Sequence, residues 1–240
     1  MGSGTVFERY EIKYIITEKQ KELIKNGMEK YMAPDKYGRS VIRNIYYDTA
    51  DSRLIRRSNE KPVYKEKLRV RSYKRVESDD EKVFVELKKK HNSVVYKRRT
   101  VLSENTAAKW LNDGQLPQEQ TQIISEIEYF RRFYGSLVPS AFVSYDREAF
   151  FAVDGSDFRV TFDENISART TDLSLKKDVG GEKLLGNGLV LMELKTHSGI
   201  PLWMTSLLSE NEIYKTSFSK YGTAYRTMIF PEKGEIKNVC

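Results

Sequence analysis

The chain alternates between charged and apolar side chains, with a period of two, over long stretches of its 240 residues. The clearest stretch is residues 63–73, in which four cations share one parity: Lys65, Lys67, Arg69 and Arg71. The other parity is largely aliphatic. Because successive side chains of a β-strand point to opposite faces, this pattern predicts a strand with a row of cations on one face. Taken alone, such a strand fits either a solvent-facing surface or the wall of a groove that binds a polyanion.

Other segments repeat the pattern, which favours the groove. Two-residue alternation predicts seven more strands, at residues 7–17, 40–49, 82–90, 94–102, 141–151, 158–165 and 189–197. Short polar turns join several of them, as expected of antiparallel hairpins. An open sheet with its charged face in water would show the same alternation as a closed barrel with its charges inside. About eight strands close around an interior that holds one small ligand.

Segments of helical period separate the strands. Thr17 caps a predicted helix that has Gln20 in the capping-box position and that Pro34 ends. Further helices are predicted at residues 51–57, 104–112 (capped by Ser103), 119–134, 201–208 and 217–230, and a polar loop at residues 170–188. Strands and helices do not alternate regularly, which argues against a parallel sheet. The predicted fold is therefore α+β, an antiparallel β-barrel tunnel of about eight strands with surrounding helices.

The net charge suggests an anionic partner. The chain has 41 Lys and Arg against 34 Asp and Glu, a formal charge of +7, which does not distinguish nucleic acid, phosphate and membrane. Its one cysteine, Cys240, excludes a disulfide framework and fits the reducing cytoplasm. No apolar run is long enough for a membrane span, and no secretion signal opens the chain. We expect one domain at residues 5–230, a cloning scar at 1–4 and a tail at 231–240.

Three strands carry the motif Glu-x-Lys on one face, and further strands add cations. The motifs are Glu11/Lys13, Glu86/Lys88 and Glu193/Lys195, and the added cations are Arg69/Arg71, Lys97/Arg99, Arg147 and Arg159. Cations spaced along strands suit a chain of phosphates, since an Arg fork grips two oxygens at once. Carboxylates among them favour a hard divalent ion, Mg²⁺ or Mn²⁺, that bridges protein and phosphate oxygens. The sequence has no Walker loop, no Rossmann glycine pattern and no zinc-protease motif.

An ordered set of segments resembles one known family. The segments are Y-E-I-K-Y, I-Y-Y-D-T, L-R-V-R-S-Y, V-F-V-E-L-K, V-Y-K-R-R, S-Y-D-R-E-A-F, F-R-V-T-F-D, L-M-E-L-K and S-F-S-K-Y, from about Phe7 to Tyr221. Individually they are loose. In this order they resemble the triphosphate tunnel metalloenzymes (the CYTH-like superfamily), and more narrowly the catalytic domain of the vacuolar transporter chaperone (VTC), the polyphosphate polymerase branch. The resemblance implies an antiparallel tunnel whose cations bind the triphosphate of ATP and the growing polyphosphate.

The resemblance also implies roles for individual residues. Around the reacting phosphate we expect Lys88, Arg147, Arg159 and Lys195. Further phosphate ligands would be Lys13, Arg69, Arg71, Lys97 and Lys220. Glu193 would hold the divalent metal, with Glu11 as a weaker candidate.

Two positions depart from the family pattern. Hydrolytic relatives carry Glu-x-Glu-x-Lys on the first strand, and Arg9 stands here at the first of these positions. The loss of this carboxylate removes part of a site that would activate water, so it favours phosphoryl transfer over hydrolysis. Ser217 stands about where the polymerase branch carries a second lysine, which weakens the expected C-terminal contribution to primer or product binding.

These inferences predict an ATP-polyphosphate phosphotransferase that moves the γ-phosphoryl of ATP to a polyphosphate chain and releases ADP, with Mn²⁺ or Mg²⁺ as the metal. Its partners would be ATP and a pyrophosphate or triphosphate primer, without nucleic acid; the oligomeric state and a membrane partner that exports the product stay open. Two alternatives are an inorganic triphosphatase of the same fold and a non-catalytic module that binds polyphosphate or nucleotide. A nucleic-acid binder is a third, whose affinity should fall steeply with salt.

Overall fold

The computed structural model describes residues 10–92, 94–197 and 199–231. In these ranges the strands are β1 (Tyr10–Thr17), β2 (Met32–Pro34), β3 (Ser40–Thr49), β4 (Tyr64–Ser72), β5 (Lys82–His91), β6 (Val94–Ser103), β7 (Leu137–Ala152), β8 (Arg159–Arg169), β9 (Glu182–Lys183) and β10 (Leu189–Thr196). The helices are α1 (Glu18–Met28), α2 (Arg53–Asn59), α3 (Glu104–Asp113), α4 (Gln122–Tyr134), α5 (Leu202–Glu210), α6 (Lys220–Ala224) and a π-helix at Tyr225–Ile229. None of the helices in these ranges has the length and hydropathy that a membrane crossing requires.

One antiparallel sheet contains all ten of these strands, which confirms the predicted α+β class. Eight follow each other in the order β1-β10-β8-β7-β3-β4-β5-β6, and the short β2 and β9 pair with β7 and β8. Eight long strands agree with the predicted number. The sheet curls into a tunnel wall but does not close over the described residues, in which β1 and β6 stand at the two ends of the path with no ladder between them. The expectation of a closed barrel is wrong in this detail.

Other parts of the chain bridge the gap between β1 and β6. The backbone N–H of Thr216 donates to the carbonyl oxygen of Lys13 at 2.7 Å, so the segment before α6 occupies the free edge of β1. Across the gap, Lys88 Nζ on β5 donates to Glu11 Oε2 on β1 at 2.6 Å. A side-chain ion pair thus stands where a closed barrel would have a hydrogen-bonded ladder.

The apolar parity of the strands faces outward, where helices cover it. Against β3, β4, β5 and β7 lie α3 and α4, with Trp110 and Phe130 buried. Against β1, β8 and β10 lie α1 and α5, with Ile24 and Met204 buried. A shift of one residue in strand register would exchange the two faces. Burial of the apolar parity therefore fixes the charged parity on the concave side of the sheet.

Several predicted elements end elsewhere. The capping box of Thr17 and Gln20 is confirmed, but α1 ends at Met28, and the residues before Pro34 belong to β2. The helical spacing of apolar residues continues beyond the end of α1 because Met28 in the helix and Met32 in β2 pack in the same buried cluster. The predicted C-terminal helix is split into α6 and the π-helix, and the predicted loop at 170–188 contains β9.

Asp48, near the end of β3, ties α2 and α6 to the sheet. Its carboxylate is fully buried. It accepts hydrogen bonds from the backbone N–H groups of Leu54 (2.8 Å) and Ile55 (3.0 Å) in the first turn of α2. It also accepts one from the hydroxyl of Tyr221 in α6 at 2.9 Å. Because Tyr221 follows Lys220, this carboxylate helps to position a predicted phosphate ligand.

We expect Asp48→Ala to lower the free energy of unfolding by roughly 3 kcal/mol, because it leaves several buried donors without an acceptor. Asp48→Asn keeps one acceptor oxygen and should lose less. Urea denaturation measures both. The control is Asp51→Ala, which removes an exposed carboxylate paired with Arg56 and should change little. Equal losses for Asp48→Ala and Asp51→Ala would contradict the assigned role.

Candidate functional site

The concave side of the sheet holds a cavity of about 1720 Å³, hereafter the lumen. All eleven site residues predicted from the sequence line it: Glu11, Lys13, Arg69, Arg71, Lys88, Lys97, Arg147, Arg159, Glu193, Lys195 and Lys220. Seven different strands and α6 contribute them. The structure therefore brings every one of these residues to the same space.

The lumen is strongly cationic. Among the described residues that line it, eighteen are Lys or Arg and three are Asp or Glu. Water screens these like charges less inside a cavity than on an open surface, so they repel one another more strongly. Such an excess attracts anions, and a ligand with many negative charges matches it best.

One carboxylate in the wall holds cations of the two strands beside its own. Glu86 of β5 is only 1% exposed. Its Oε2 accepts from Arg69 Nε at 2.8 Å, and its Oε1 accepts from Arg99 Nε at 2.6 Å and lies 2.7 Å from Lys97 Nζ. Burial raises the pKa of Glu86, but Arg69 and Arg71 outweigh it, together with Lys97 and Arg99, and hold the pKa well below its ordinary value. Glu86 is thus an ionised anchor for the β4–β6 side of the lumen.

A second buried carboxylate, Asp163 of β8, holds cations on the β7–β8 side. Arg147 donates to it through Nε and Nη2 at 2.6 Å each, and Lys220 Nζ donates to it at 2.6 Å. Burial raises the pKa of Asp163, but Arg147 and Lys220 bring it below its ordinary value. A bidentate fork fixes the plane of a guanidinium. Arg147 is therefore oriented by the protein itself.

Glu193 of β10 lies among four cations without a short bond to any of them. Its oxygens are 3.3 Å from Lys195 Nζ, 3.5 Å from Lys13 Nζ, 3.6 Å from Lys220 Nζ and 3.5 Å from Arg147 Nη2. Burial raises the pKa of Glu193, but Lys220, then Lys195 and Lys13, hold it well below its ordinary value. The carboxylate is ionised, and these long contacts leave its oxygens able to accept a further ligand.

The carboxylates of the lumen fit a divalent metal that takes few protein ligands. Glu11 and Glu193 lie on the paired strands β1 and β10, and both line the lumen. Within the described residues no group of three or more His, Cys, Asp or Glu side chains could hold a metal. Mg²⁺ commonly binds through one or two carboxylates and completes its shell with water and substrate phosphates. Glu193 and Glu11 would be such ligands.

Among the described residues, five lumen lysines have lowered pKa values, and burial is the main cause for Lys13 and Lys65. Burial lowers the pKa of Lys97 to about 7 and that of Lys195 to about 8. Burial, and then the neighbouring Lys13 and Lys65, hold the pKa of Lys67 well below its ordinary value. An anion close to these amines would favour their charged forms and raise the pKa values again. Binding of a polyanion should therefore bring protons into the lumen.

Some residues of the lumen, and of the wall behind its surface, were not among the predicted site residues. Glu86 and Asp163 share the parity of the predicted cations, so the alternation contains a signal for them, but their role as counter-ions depends on burial. Lys67 has the parity of Arg69 and donates to Ser219 Oγ at 2.8 Å. Tyr145 is buried and also lines the lumen.

Several expectations fall on residues at the chain ends. Residues 1–4, Arg9 and residues 232–240 with Cys240 lie outside the described residues. Ser217, the second departure from the family pattern, lines the lumen in the segment before Lys220.

The two lysines with pKa values near neutrality predict the pH dependence of binding. As pH rises through about 7 and about 8, Lys97 and Lys195 lose their protons, while a terminal phosphate is already fully charged above pH ~6. We expect the affinity for tripolyphosphate to fall by roughly tenfold over this range, since one pKa unit corresponds to a tenfold change. Isothermal titration calorimetry measures it.

The matched variant is Lys195→Arg, because a guanidinium stays charged throughout this range. It should hold its affinity to higher pH than the wild type. An equal fall in both proteins would show that deprotonation of Lys195 does not govern binding.

Comparisons with known proteins agree with this geometry. Among solved structures, a Bacillus halodurans protein assigned as an adenylate cyclase aligns with a TM-score of 0.54 and 13% identity, over 88% of this chain and 93% of that chain. The Hippeastrum protein HpAC1, assigned as an adenylyl cyclase and described by a dominant triphosphatase activity, aligns with a TM-score of 0.54 and 16% identity, over 92% of this chain and 95% of that chain. At these identities the likeness shows a shared fold. The search of curated proteins gives no match.

The family model of the VTC domain matches residues 8–229, which is nearly the whole chain. The chain belongs to the VTC domain family.

Proposed function

We propose that the chain is a metal-dependent polyphosphate polymerase, which transfers the γ-phosphoryl of ATP to the end of a polyphosphate chain and releases ADP. Membership of the VTC domain family supports a function on triphosphate or polyphosphate. The observation that carries the proposal is the lumen, with eighteen Lys and Arg side chains against three carboxylates around one cavity. Cations spaced along its wall match the repeating charge of a phosphate chain.

In the proposed reaction, a terminal oxygen of the polyphosphate chain forms a bond to the γ-phosphorus of ATP. The bond from that phosphorus to the β–γ bridging oxygen breaks, and its electron pair leaves with ADP. The protein contributes alignment and stabilisation of charge rather than a nucleophile. The residues assigned to the reacting phosphate are Lys88, Arg147, Arg159 and Lys195. Those assigned to the rest of the donor and the growing chain are Lys13, Arg69, Arg71, Lys97 and Lys220.

The ionisation of the lumen carboxylates favours transfer over hydrolysis. A polyphosphate end is already an anion, whereas attack by water profits from a general base whose pKa lies near the working pH. Burial raises the pKa of Glu11, but Lys88 and the other cations outweigh it, and the pKa falls to about 2. The pKa of Glu193 is also held well below its ordinary value. Both carboxylates are therefore poor bases for water.

The tunnel fold implies dependence on a divalent metal, and we propose Mn²⁺ or Mg²⁺. Such an ion polarises phosphoryl oxygens and neutralises charge that develops in the transition state. Glu193 would hold it, with Glu11 as the weaker ligand. We further propose that residues 5–230 act as one domain in the cytoplasm, with ATP and a pyrophosphate or triphosphate primer as partners.

An inorganic triphosphatase of the same fold is the second candidate. The shared fold with HpAC1, whose dominant activity is described as that of a triphosphatase, favours it. Both functions need a cationic lumen, so the products of the reaction have to distinguish them.

The deciding experiment incubates the purified protein with ATP, a pyrophosphate primer and Mn²⁺ or Mg²⁺, and resolves the products on a gel for long polyanions. We expect long polymer and release of ADP. Free phosphate from tripolyphosphate, without polymer from ATP, would instead identify a triphosphatase. Tight binding without any turnover would identify a non-catalytic module.

Arg159→Ala tests the assignment of the reacting phosphate. Arg159 is exposed at the lumen, so its removal should leave the stability of the fold unchanged. Loss of one donor to a developing negative charge lowers kcat by about 100-fold in comparable sites. The control is Lys19→Ala, which removes an exposed cation of α1 and should keep full activity. A folded Arg159→Ala variant with wild-type turnover would remove Arg159 from the site.

A further inference from the structure

One buried arginine outside the predicted site lacks a hydrogen-bond acceptor for its Nε in the part of the chain that the structure describes. Arg43 of β3 is 8% exposed. Its Nε is buried without an acceptor, and no ion pair within the described residues reaches its guanidinium. Burying an unpaired charge is unfavourable, and proteins normally pair such groups or use them to bind a ligand. Arg43 is therefore a candidate for binding an anion.

The sheet has a notch at Arg43. The ladder between β3 and β4 begins at Arg43, opposite the last residue of β4. Residues 40–42 continue β3 beyond this point and pair with β7 alone. The lining of the lumen continues through the notch, because Arg71 inside the tunnel, Lys74 and Arg75 beyond the end of β4, and Arg43 border the same cavity. A path of cations thus leads from the lumen to Arg43.

The charges beside this path are held only weakly. Lys74 Nζ lies 3.0 Å from Glu81, and Arg75 Nη1 lies 2.7 Å from Asp178. The two cations and Asp178 are largely exposed, and exposed pairs of this kind exchange partners readily. The charge of Asp178 also acts on Arg43, but its ion pair is with Arg75.

A third cation close to Arg43 has a different role. Arg169 donates to the carbonyl oxygens of Asp172 at 3.1 Å and Asp178 at 2.9 Å, and its guanidinium stacks 3.8 Å from the centre of the Phe142 ring. It adds positive charge beside Arg43 but is committed to holding the segment before β9. Arg75 also donates to the carbonyl oxygen of Lys176 in this segment, through Nε at 2.7 Å, but about half of its side chain is exposed, so an anion can still reach it. The groups available to an incoming anion are therefore Arg43, Lys74 and Arg75.

We propose that Arg43, together with Lys74 and Arg75, forms a phosphate-binding subsite for a polyphosphate chain that leaves the lumen through the notch between β3 and β4. The inference rests on the proposed function, since it needs a chain longer than the lumen holds. A guanidinium fork binds two phosphate oxygens at once, and Arg43 would gain the partner that the protein does not provide. The subsite would retain long chains and have no effect on short ones.

Arg43→Met tests the proposal, because it removes the charge and keeps an unbranched apolar stem. We expect the affinity for long polyphosphate to fall by roughly tenfold, in line with the loss of one charged hydrogen-bonded contact. The affinity for tripolyphosphate, which fits inside the lumen, should be unchanged. Without ligand, the melting temperature should stay equal or rise, since an unpaired buried charge is gone. Calorimetric titration and thermal melts give these values.

The control is Arg57→Met, the same exchange at an exposed arginine of α2 outside the lumen, which should bind both ligands like the wild type. The subsite is wrong if Arg43→Met loses affinity equally for both ligands, or if it loses affinity for neither. A lower melting temperature with unchanged binding would show a structural role instead. A further test adds inorganic phosphate while the lumen is filled with tripolyphosphate, in excess over its dissociation constant. If the phosphate then stabilises the wild type but not Arg43→Met, the site binds free phosphate, and the assignment to a chain is wrong.

Failure of this inference can be told from failure of the proposed function. If the wild type neither makes nor binds long polyphosphate, the proposed function is wrong. If the wild type binds long polyphosphate and Arg43→Met binds it equally well, only the subsite is wrong.

Discussion

The structure depends on two buried carboxylates that offset part of the repulsion among the cations around the lumen. Glu86 and Asp163 are almost inaccessible to water, and each binds cations from at least two elements. At ~3 Å and an effective dielectric constant near 20, one such pair contributes roughly 5 kcal/mol of Coulomb attraction before desolvation is subtracted. These two anions do not neutralise the lumen. They hold the nearest cations in place and leave the others to repel one another until an anion binds.

The incomplete closure of the sheet belongs to the same electrostatic arrangement. A ladder between β1 and β6 would join the strands through backbone bonds that salt does not affect. The chain uses the pair of Glu11 and Lys88 instead, and partly exposed ion pairs weaken as ionic strength rises. Both residues line the lumen, so the contact that spans the gap is made of groups that can also meet a ligand. An anion or metal bound in the lumen could therefore change the contact between β1 and β5, and with it the width of the gap.

The strand alternation was enough to predict the wall of the lumen. When the apolar side chains of a strand are buried under helices, its charged side chains have to point to the opposite, concave side. The alternation could not predict that Thr216 would occupy the edge of β1, since that contact joins segments about two hundred residues apart. Lys220 was found through a family motif, because its position depends on the contact of Tyr221 with Asp48. The partners of Glu86 and the isolation of Arg43 follow from tertiary packing, and no local pattern encodes them.

Arginine and lysine divide the work of the lumen according to their chemistry. Arg147 makes a bidentate bond to both oxygens of Asp163, and Arg69 meets one oxygen of Glu86 through two nitrogens. A guanidinium stays charged and planar there under all ordinary conditions. Several lumen lysines, among them Lys97 and Lys195, have pKa values lowered by burial. An ammonium group can release its proton when repulsion is strong and take it up again when phosphate arrives. Under the proposed function, the arginines would define where phosphate binds, and the lysines would adjust the total charge to what is bound.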